Sequence, residues 1–351
     1  MGPVIYSYLT FIRHGETAAN VGNIIQGHLD TELSNVGLEQ AKALKQYFRD
    51  LPVDMFYSSD LKRASFTANE LGISVPLRTS PQLRERNFGK FCGSSRADLQ
   101  KFAESTADSK TACDNWRAVN AECSHQVACR TQEFINQLFF QLAARLEKGT
   151  TPKLVASGAL SPILNRPSMP LMPEPVLQFF PGQPQTNFIY AGHVLIVSHG
   201  GWIRQALRLL GLHSTNSLNF SKEMAHSVMK NCGISQIGVS FDLEEMDIFR
   251  RKSASRSSVV DSPLPLFGTQ LESNLSSAHT SSCPYARLAN PHLPISTVCY
   301  HFNLTKSQLD GGPKISLPVK SINPSDALCS KMEVIFADDD DEYSGQPSGS
   351  S

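Results

Sequence analysis

No apolar run in this 351-residue chain approaches the ~18–20 residues that a membrane-spanning helix needs, so no membrane span is expected. Net charge is missing too, because 32 Lys and Arg balance 32 Asp and Glu. That balance excludes a polyanion-binding surface spread over the whole protein, and no nucleic-acid partner is expected; a local basic pocket stays open. The eight cysteines are Cys92, Cys113, Cys123, Cys129, Cys232, Cys283, Cys299 and Cys329. None forms a CxxC pair, and their spacing resembles no zinc-ligand array, so no metal site is expected. The opening stretch MGPVIYSYLTF lacks a charged n-region and a cleavage site, and Tyr6 stands where myristoylation requires Ser or Thr. A soluble, cytoplasmic protein with reduced thiols is the expectation.

Apolar residues make up 40% of the chain, enough for a substantial core. Residues 4–12 are β-rich and apolar and predict a buried strand. Ser34 reads as the N-cap of a helix to Phe48, with Leu38, Ala41, Leu44 and Phe48 at helical spacing. A short strand at Met55–Tyr57 runs into SSD, a second capping signal, and a helix over Leu61–Leu71. Residues 127–147 predict an amphipathic helix with Phe134, Leu138, Leu142 and Leu146 in register. HVLIVSHGG predicts a central strand that turns into a helix, and residues 234–242 and 297–303 alternate with period two. Alternating strands and helices imply an α/β fold of three layers, α/β/α, with a mainly parallel sheet flanked by helices. One domain over residues 1–310 is expected, with a proline-rich loop insertion at 149–192 and a disordered serine-rich one at 251–295. Residues 311–351 read as a disordered acidic tail carrying DDDDE. The two disordered segments are the candidates for contacts with protein partners.

The segment FIRHGETAAN puts Arg13 and His14 where the first strand leaves the core, with Glu16 near enough to pair with one of them. Buried charges are costly without partners, so a bound anion is implied. Three further pieces follow in order: Arg63 after SSDLK, Glu85 in LRERNFG, and His199 before Gly200 and Gly201. Arginine grips phosphate oxygens bidentately, and a neutral histidine nitrogen can attack phosphorus. Strand carboxyl ends are where open α/β sheets hold ligands. Together these residues point to phosphoryl transfer, whose transition state needs positioning and positive charge.

RHGETAAN, SSDLKRASFTA, LRERNFG and SHGG, in that order, resemble the histidine phosphatase superfamily, the phosphoglycerate-mutase-like fold. NIIQGHLDTELSNVGLEQA, VLIVSHGGWIR and NCGIS are similar to its fructose-2,6-bisphosphatase branch. The resemblance covers residues 4–92 and 193–242. It implies His14 as the phosphorylated nucleophile, with Arg13, Arg63 and His199 holding phosphoryl oxygens. Glu85 would protonate the leaving alkoxide and then activate water. Asn20, Gln26, Gly27 and Gly200 would bind substrate, with no metal and no cofactor. The implied partner is a small phosphorylated molecule, a sugar bisphosphate in the first place, whose loss of its 2-phosphate would lower glycolytic flux. The rivals are another ester such as 2,3-bisphosphoglycerate or a phosphopeptide, a phosphoglycerate mutase, and a non-catalytic scaffold. The chain departs from the branch at AECS, which keeps Glu122 but not its Gly and hydroxyl neighbours, and at Cys92 in place of a glutamate. Both changes are expected where substrate is gripped.

Overall fold

Strand β1 (Val4–Arg13) is apolar at both parities because both of its faces are covered. Ile5, Leu9 and Phe11 pack into one buried cluster, while Tyr6, Tyr8 and Ile12 pack into another on the opposite face. Such a strand belongs in the middle of a layered sheet. The computed structural model describes residues 4–49, 51–106, 112–147, 153–154, 188–212, 214–218, 220–221, 224, 226–242, 244–245 and 293–305.

After β1 come α1 (Ala18–Val21), α2 (Asn35–Phe48), β2 (Met55–Ser59), α3 (Lys62–Glu70) and β3 (Leu77–Ser80). Then follow α4 (Arg96–Thr106), α5 (Ala112–Ala118), α6 (Ser124–Glu147), β4 (Lys153–Leu154) and β5 (Phe188–Ser198). The last elements are α7 (Gly200–Leu212), β6 (Ser214–Leu218), β7 (Ile234–Asp242) and β8 (Leu293–Leu304). One sheet orders them β3–β2–β5–β1–β7–β8–β6, with β4 paired on β5. Pairing is parallel from β3 through β1 and between β8 and β6; β7 and β4 run against their neighbours. The α/β expectation of a mainly parallel sheet holds.

Helices α2 and α3 cover one face through Ala41, Leu44, Phe48, Ala64 and Ala68. Helices α6 and α7 cover the other through Phe134, Leu138, Leu142, Trp202, Ala206 and Leu210. A third cluster holds Ile25, Phe91, Leu99, Trp116, Val119, Ala121 and Cys123 beside the sheet. It joins α4 and α5 to the loop after Glu85. Neither helix was foreseen, because each is short and presents few large apolar residues.

Other differences have local causes. The segment SSD does not cap α3: Leu61 is its N-cap residue, and Asp30 from a distant loop accepts from Lys62 N at 2.7 Å. Asp60 turns away to an ion pair with Arg84, 2.6 Å apart. Residues 234–241 are buried on both faces, not alternately, since β7 lies between β1 and β8. Strand β5 starts at Phe188, inside the stretch expected as an insertion, and β8 starts at Leu293, inside the serine-rich one. The remainder of those two stretches, apart from β4, and the acidic tail lie outside the described residues. Strands β3 and β6 were not singled out by the sequence pattern.

Ser34 does cap α2, with its Oγ accepting from Gly37 N at 3.0 Å and donating to Glu16 Oε1 at 2.8 Å. Ser34→Ala removes both bonds and should lower unfolding free energy by about 1 kcal/mol, read from urea denaturation midpoints.

Candidate active site

The carboxyl ends of β1 and β5 lie side by side, because the two strands pair in parallel with Arg13 opposite Ser198. The residues that follow, His14 and His199, therefore meet, with ring centroids 5.2 Å apart. Both rings are buried, at 3% and 0% exposure. His14 N donates to Ser198 O at 2.9 Å, and Asn231 Nδ2 donates to His14 O at 2.9 Å, so the turn is pinned on both sides.

The His14 tautomer follows from its partner. Nδ1 lies 2.7 Å from Gly15 O, and a carbonyl can only accept. Nδ1 therefore carries the proton, leaving Nε2 with a free lone pair. Burial, then the charges of Arg63 and Arg13, hold His14 well below the usual histidine range. The ring is neutral at pH 7, the form that can attack. His199 is lowered by burial first, then by Arg63 and His14. Its Nε2 lies 2.8 Å from Ser59 Oγ, and its Nδ1 has no hydrogen-bond partner among the described residues.

Arg63 is 1% exposed yet remains a cation. Burial pushes its pKa down to about 10, against the opposing pull of Glu85 and Asp30. Its Nη1 donates to Leu29 O at 2.6 Å and its Nη2 to Gly27 O at 2.8 Å. Gly27 has φ +50, and an added Cβ would meet Cys92 Sγ at 2.7 Å, so this carbonyl is presented by a turn that glycine suits. Arg13 donates from Nη1 to Met229 O at 2.5 Å. Glu16 does not pair with Arg13 or His14; it accepts from Ser34 instead.

Glu85 faces the N-terminus of α7, where its Oε2 accepts from Gly201 N at 2.9 Å and its Oε1 from Arg86 N at 2.8 Å. A Cβ at Gly201 would stand 2.3 Å from Glu85 Oε1, so the second glycine of SHGG makes room for the carboxylate. Asn20 spends its side-chain oxygen on the cap of α1, accepting from Thr17 N at 3.1 Å. Gln26 accepts from Thr31 Oγ1 at 2.6 Å.

One cavity is lined by Arg13, His14, Asn20, Gln26, Gly27, Arg63, Glu85 and Gly200, with His199 behind His14. The structure thus brings every sequence-predicted site residue to one place. It adds Arg86, Arg96, Arg204 and Arg208 to the lining, none of which was foreseen. Arg204 and Arg208 are four apart on α7, a spacing that was visible in HGGWIRQALR. Burial and then Arg204 lower the pKa of Arg208. Glu122 and Cys92, the departures expected at the substrate, do not line the cavity. Cys92 packs against Gly27.

Glu122 instead forms a buried pair with Arg130, 2.9 Å apart, and accepts from Asn87 N at 2.8 Å. Arg130 also donates to the carbonyls of Gln82, Arg84 and Glu85, at 2.9, 2.7 and 3.0 Å. The pair therefore holds the loop that carries Glu85. His28, which the sequence gave no role, lies 2.8 Å from the same Glu85 carbonyl through Nε2.

Two histidines and several arginines thus surround one cavity at the ends of parallel strands, an arrangement able to hold an anion. Comparison with known proteins agrees: residues 9–163 match the family described as Histidine phosphatase superfamily (branch 1). The chain is 30% identical over 247 residues to fructose-2,6-bisphosphatase TIGAR B of Danio rerio, covering 68% of this chain and 88% of that one. It is 37% identical over 133 residues to an adenosylcobalamin/alpha-ribazole phosphatase of Salmonella typhimurium, covering 37% and 66%. It is 33% identical over 132 residues to a glucosyl-3-phosphoglycerate phosphatase of Mycobacterium tuberculosis, covering 37% and 59%. The chain belongs to the histidine phosphatase superfamily.

Burial raises the Glu122 pKa, but Arg130 and the Asn87 N–H outweigh it and hold the carboxyl below its ordinary value of 4.5. A depressed carboxyl stabilises the fold above its unfolded value and loses that contribution as pH falls through the folded one. Glu122→Gln should flatten the fall in denaturant midpoint below the ordinary carboxylate range. Arg130→Met, which strands a buried carboxylate, should cost about 3–5 kcal/mol at pH 7 in the same measurement.

Proposed function

We propose that this protein is a phosphomonoesterase acting through a phosphohistidine, with fructose-2,6-bisphosphate as its substrate. The observation that carries the reading is the pairing of a neutral, buried His14, its Nε2 lone pair unspent, with guanidinium groups and a carboxylate in one cavity. In the first step Nε2 attacks phosphorus and the bond to the ester oxygen breaks. Glu85 gives its proton to the leaving alkoxide. Glu85, now ionised, takes a proton from water as that water attacks phosphorus and the P–N bond breaks. Phosphate leaves and His14 returns to its neutral form. Arg13 and Arg63 offset the charge spread over the equatorial oxygens. His199 would hold a phosphoryl oxygen in the tautomer that carries its proton on Nδ1, with Ser59 Oγ, 2.8 Å away, then donating to Nε2.

The bisphosphate is favoured by the charge of the cavity. Six arginines line it against one carboxylate, more than a single phosphate needs, and Arg204 and Arg208 sit one turn apart on its α7 wall. Two relatives act, by their names, on fructose-2,6-bisphosphate and on a phosphorylated glycerate, both carrying more than one anionic group. This arginine excess is also what speaks against a scaffold.

The test is a panel of phosphate esters assayed without added magnesium. His14→Ala should lose at least about 1,000-fold in kcat and fail to trap acid-labile, base-stable phosphate. Substantial turnover by that variant would sink the mechanism. Fructose-2,6-bisphosphate should lead the panel in kcat/KM, and Arg208→Met should raise its KM while leaving a small monophosphate unaffected. Because burial lowers the His14 pKa, the acid limb of kcat/KM should fall below the ordinary histidine value of 6.5.

A further inference from the structure

Cys113, Cys123 and His125 lie outside the residues that line the phosphate cavity. Cys113 is in the first turn of α5, Cys123 immediately precedes α6, and His125 is in the first turn of α6. Their ligand atoms lie within 4.8 Å of one another, with Cys113 Sγ 3.4 Å from His125 Nδ1. A tetrahedral zinc has Zn–S of about 2.3 Å and Zn–N of about 2.0–2.1 Å, so its sulfur and nitrogen ligands stand roughly 3.5 Å apart and two sulfurs roughly 3.8 Å apart. The Cys113–His125 pair already has that spacing, and the other separations, all within 4.8 Å, need to shorten by no more than about 1 Å to reach it. Two sulfurs and an imidazole select zinc over magnesium or calcium, which take oxygen ligands.

None of the described cysteines is in a disulfide. Cys123 is buried, with the Arg86 guanidinium close by. Arg86 is itself held by Glu122 O at 2.7 Å and stacked on Trp116 at 4.1 Å. Two thiolates neutralise a divalent cation, so Arg86 faces no added positive charge. Cys113 and His125 are half-buried, which opens a fourth position to water.

We propose that Cys113, Cys123 and His125 bind a zinc ion that clamps α5 to the start of α6, with water as the fourth ligand. The clamp sits next in sequence to Glu122, whose pair with Arg130 holds the Glu85 loop. No cysteine or histidine spacing in the chain advertises this site, since the packing of α5 on α6 assembles it.

The full-length chain, stripped of metal under reducing conditions, is titrated with Co²⁺. One equivalent should produce a sulfur-to-cobalt charge-transfer band and tetrahedral d–d bands, both erased by one equivalent of Zn²⁺. Cys113→Ser should weaken zinc binding by more than the ~10–100-fold typical of an outer-shell change. Cys113→Ser with Cys123→Ser should abolish the charge-transfer band, while Cys299→Ser should leave it intact. If Cys123→Ser fails to fold, Cys113→Ser and His125→Ala, both at half-buried positions, carry the test; His125→Ala should keep charge transfer but shift the d–d bands. Absence of the band in the wild-type chain, or its survival in the double cysteine variant, overturns the proposal.

Discussion

Carbonyl oxygens holding guanidinium groups are the constraint from which this structure follows. A phosphate site needs several cations within a few ångströms, and those cations repel one another before any substrate arrives. Arg13 is held by Met229 O, Arg63 by Leu29 O and Gly27 O, Arg86 by Glu122 O, and Arg130 by three carbonyls of the 82–85 loop. Each such bond fixes a planar donor fork and removes part of the desolvation cost without neutralising the charge. Full ion pairs would hold the arginines equally well but would cancel the field the site needs. The buried pair Glu122–Arg130 sits behind the Glu85 loop rather than in the lining.

The same constraint explains why the loops around the cavity are irregular. A carbonyl aimed at a guanidinium is unavailable to a helix or strand. The 22–34 and 84–95 loops supply such carbonyls, and their turns contain the positive-φ residues Asn23, Gly27, Gly89 and Gly93. The third apolar cluster, with Phe91, Leu99 and Trp116, braces those loops from outside. Trp116 does so directly, by stacking under Arg86.

Much of this was legible along the chain. Strand β1, the Ser34 cap, α6 and the β5–α7 junction all announce themselves by apolar period and end signals. The residues that line the cavity were legible too, because RHG and SHGG sit where strands end and occur in order with SSDLK and LRERNFG; LRERNFG alone reads equally as a salt-bridged turn, and Arg84 does pair with Asp60. What escaped the sequence depends on distance. Asp30 capping α3, Arg130 gripping the Glu85 loop and the Cys113–Cys123–His125 cluster each join residues through packing that no local pattern encodes. Helices α4 and α5 escaped for a different reason: their few apolar residues meet a small satellite cluster, so the helical rhythm is faint.

Strand β1 lies between β5 and β7, and both neighbours arrive late. Thr10 stands opposite Gln236 on one side and Leu195 on the other. At a synthesis rate of ~5–20 residues per second, the ribosome needs about 10–50 s to deliver the second neighbour after the first strand has emerged. Until β5 emerges both edges of this apolar strand are bare, and the edge that β7 covers stays bare for the whole interval. A bare strand edge of this kind is a template for wrong pairing, and pairings this remote along the chain make the final closure slow.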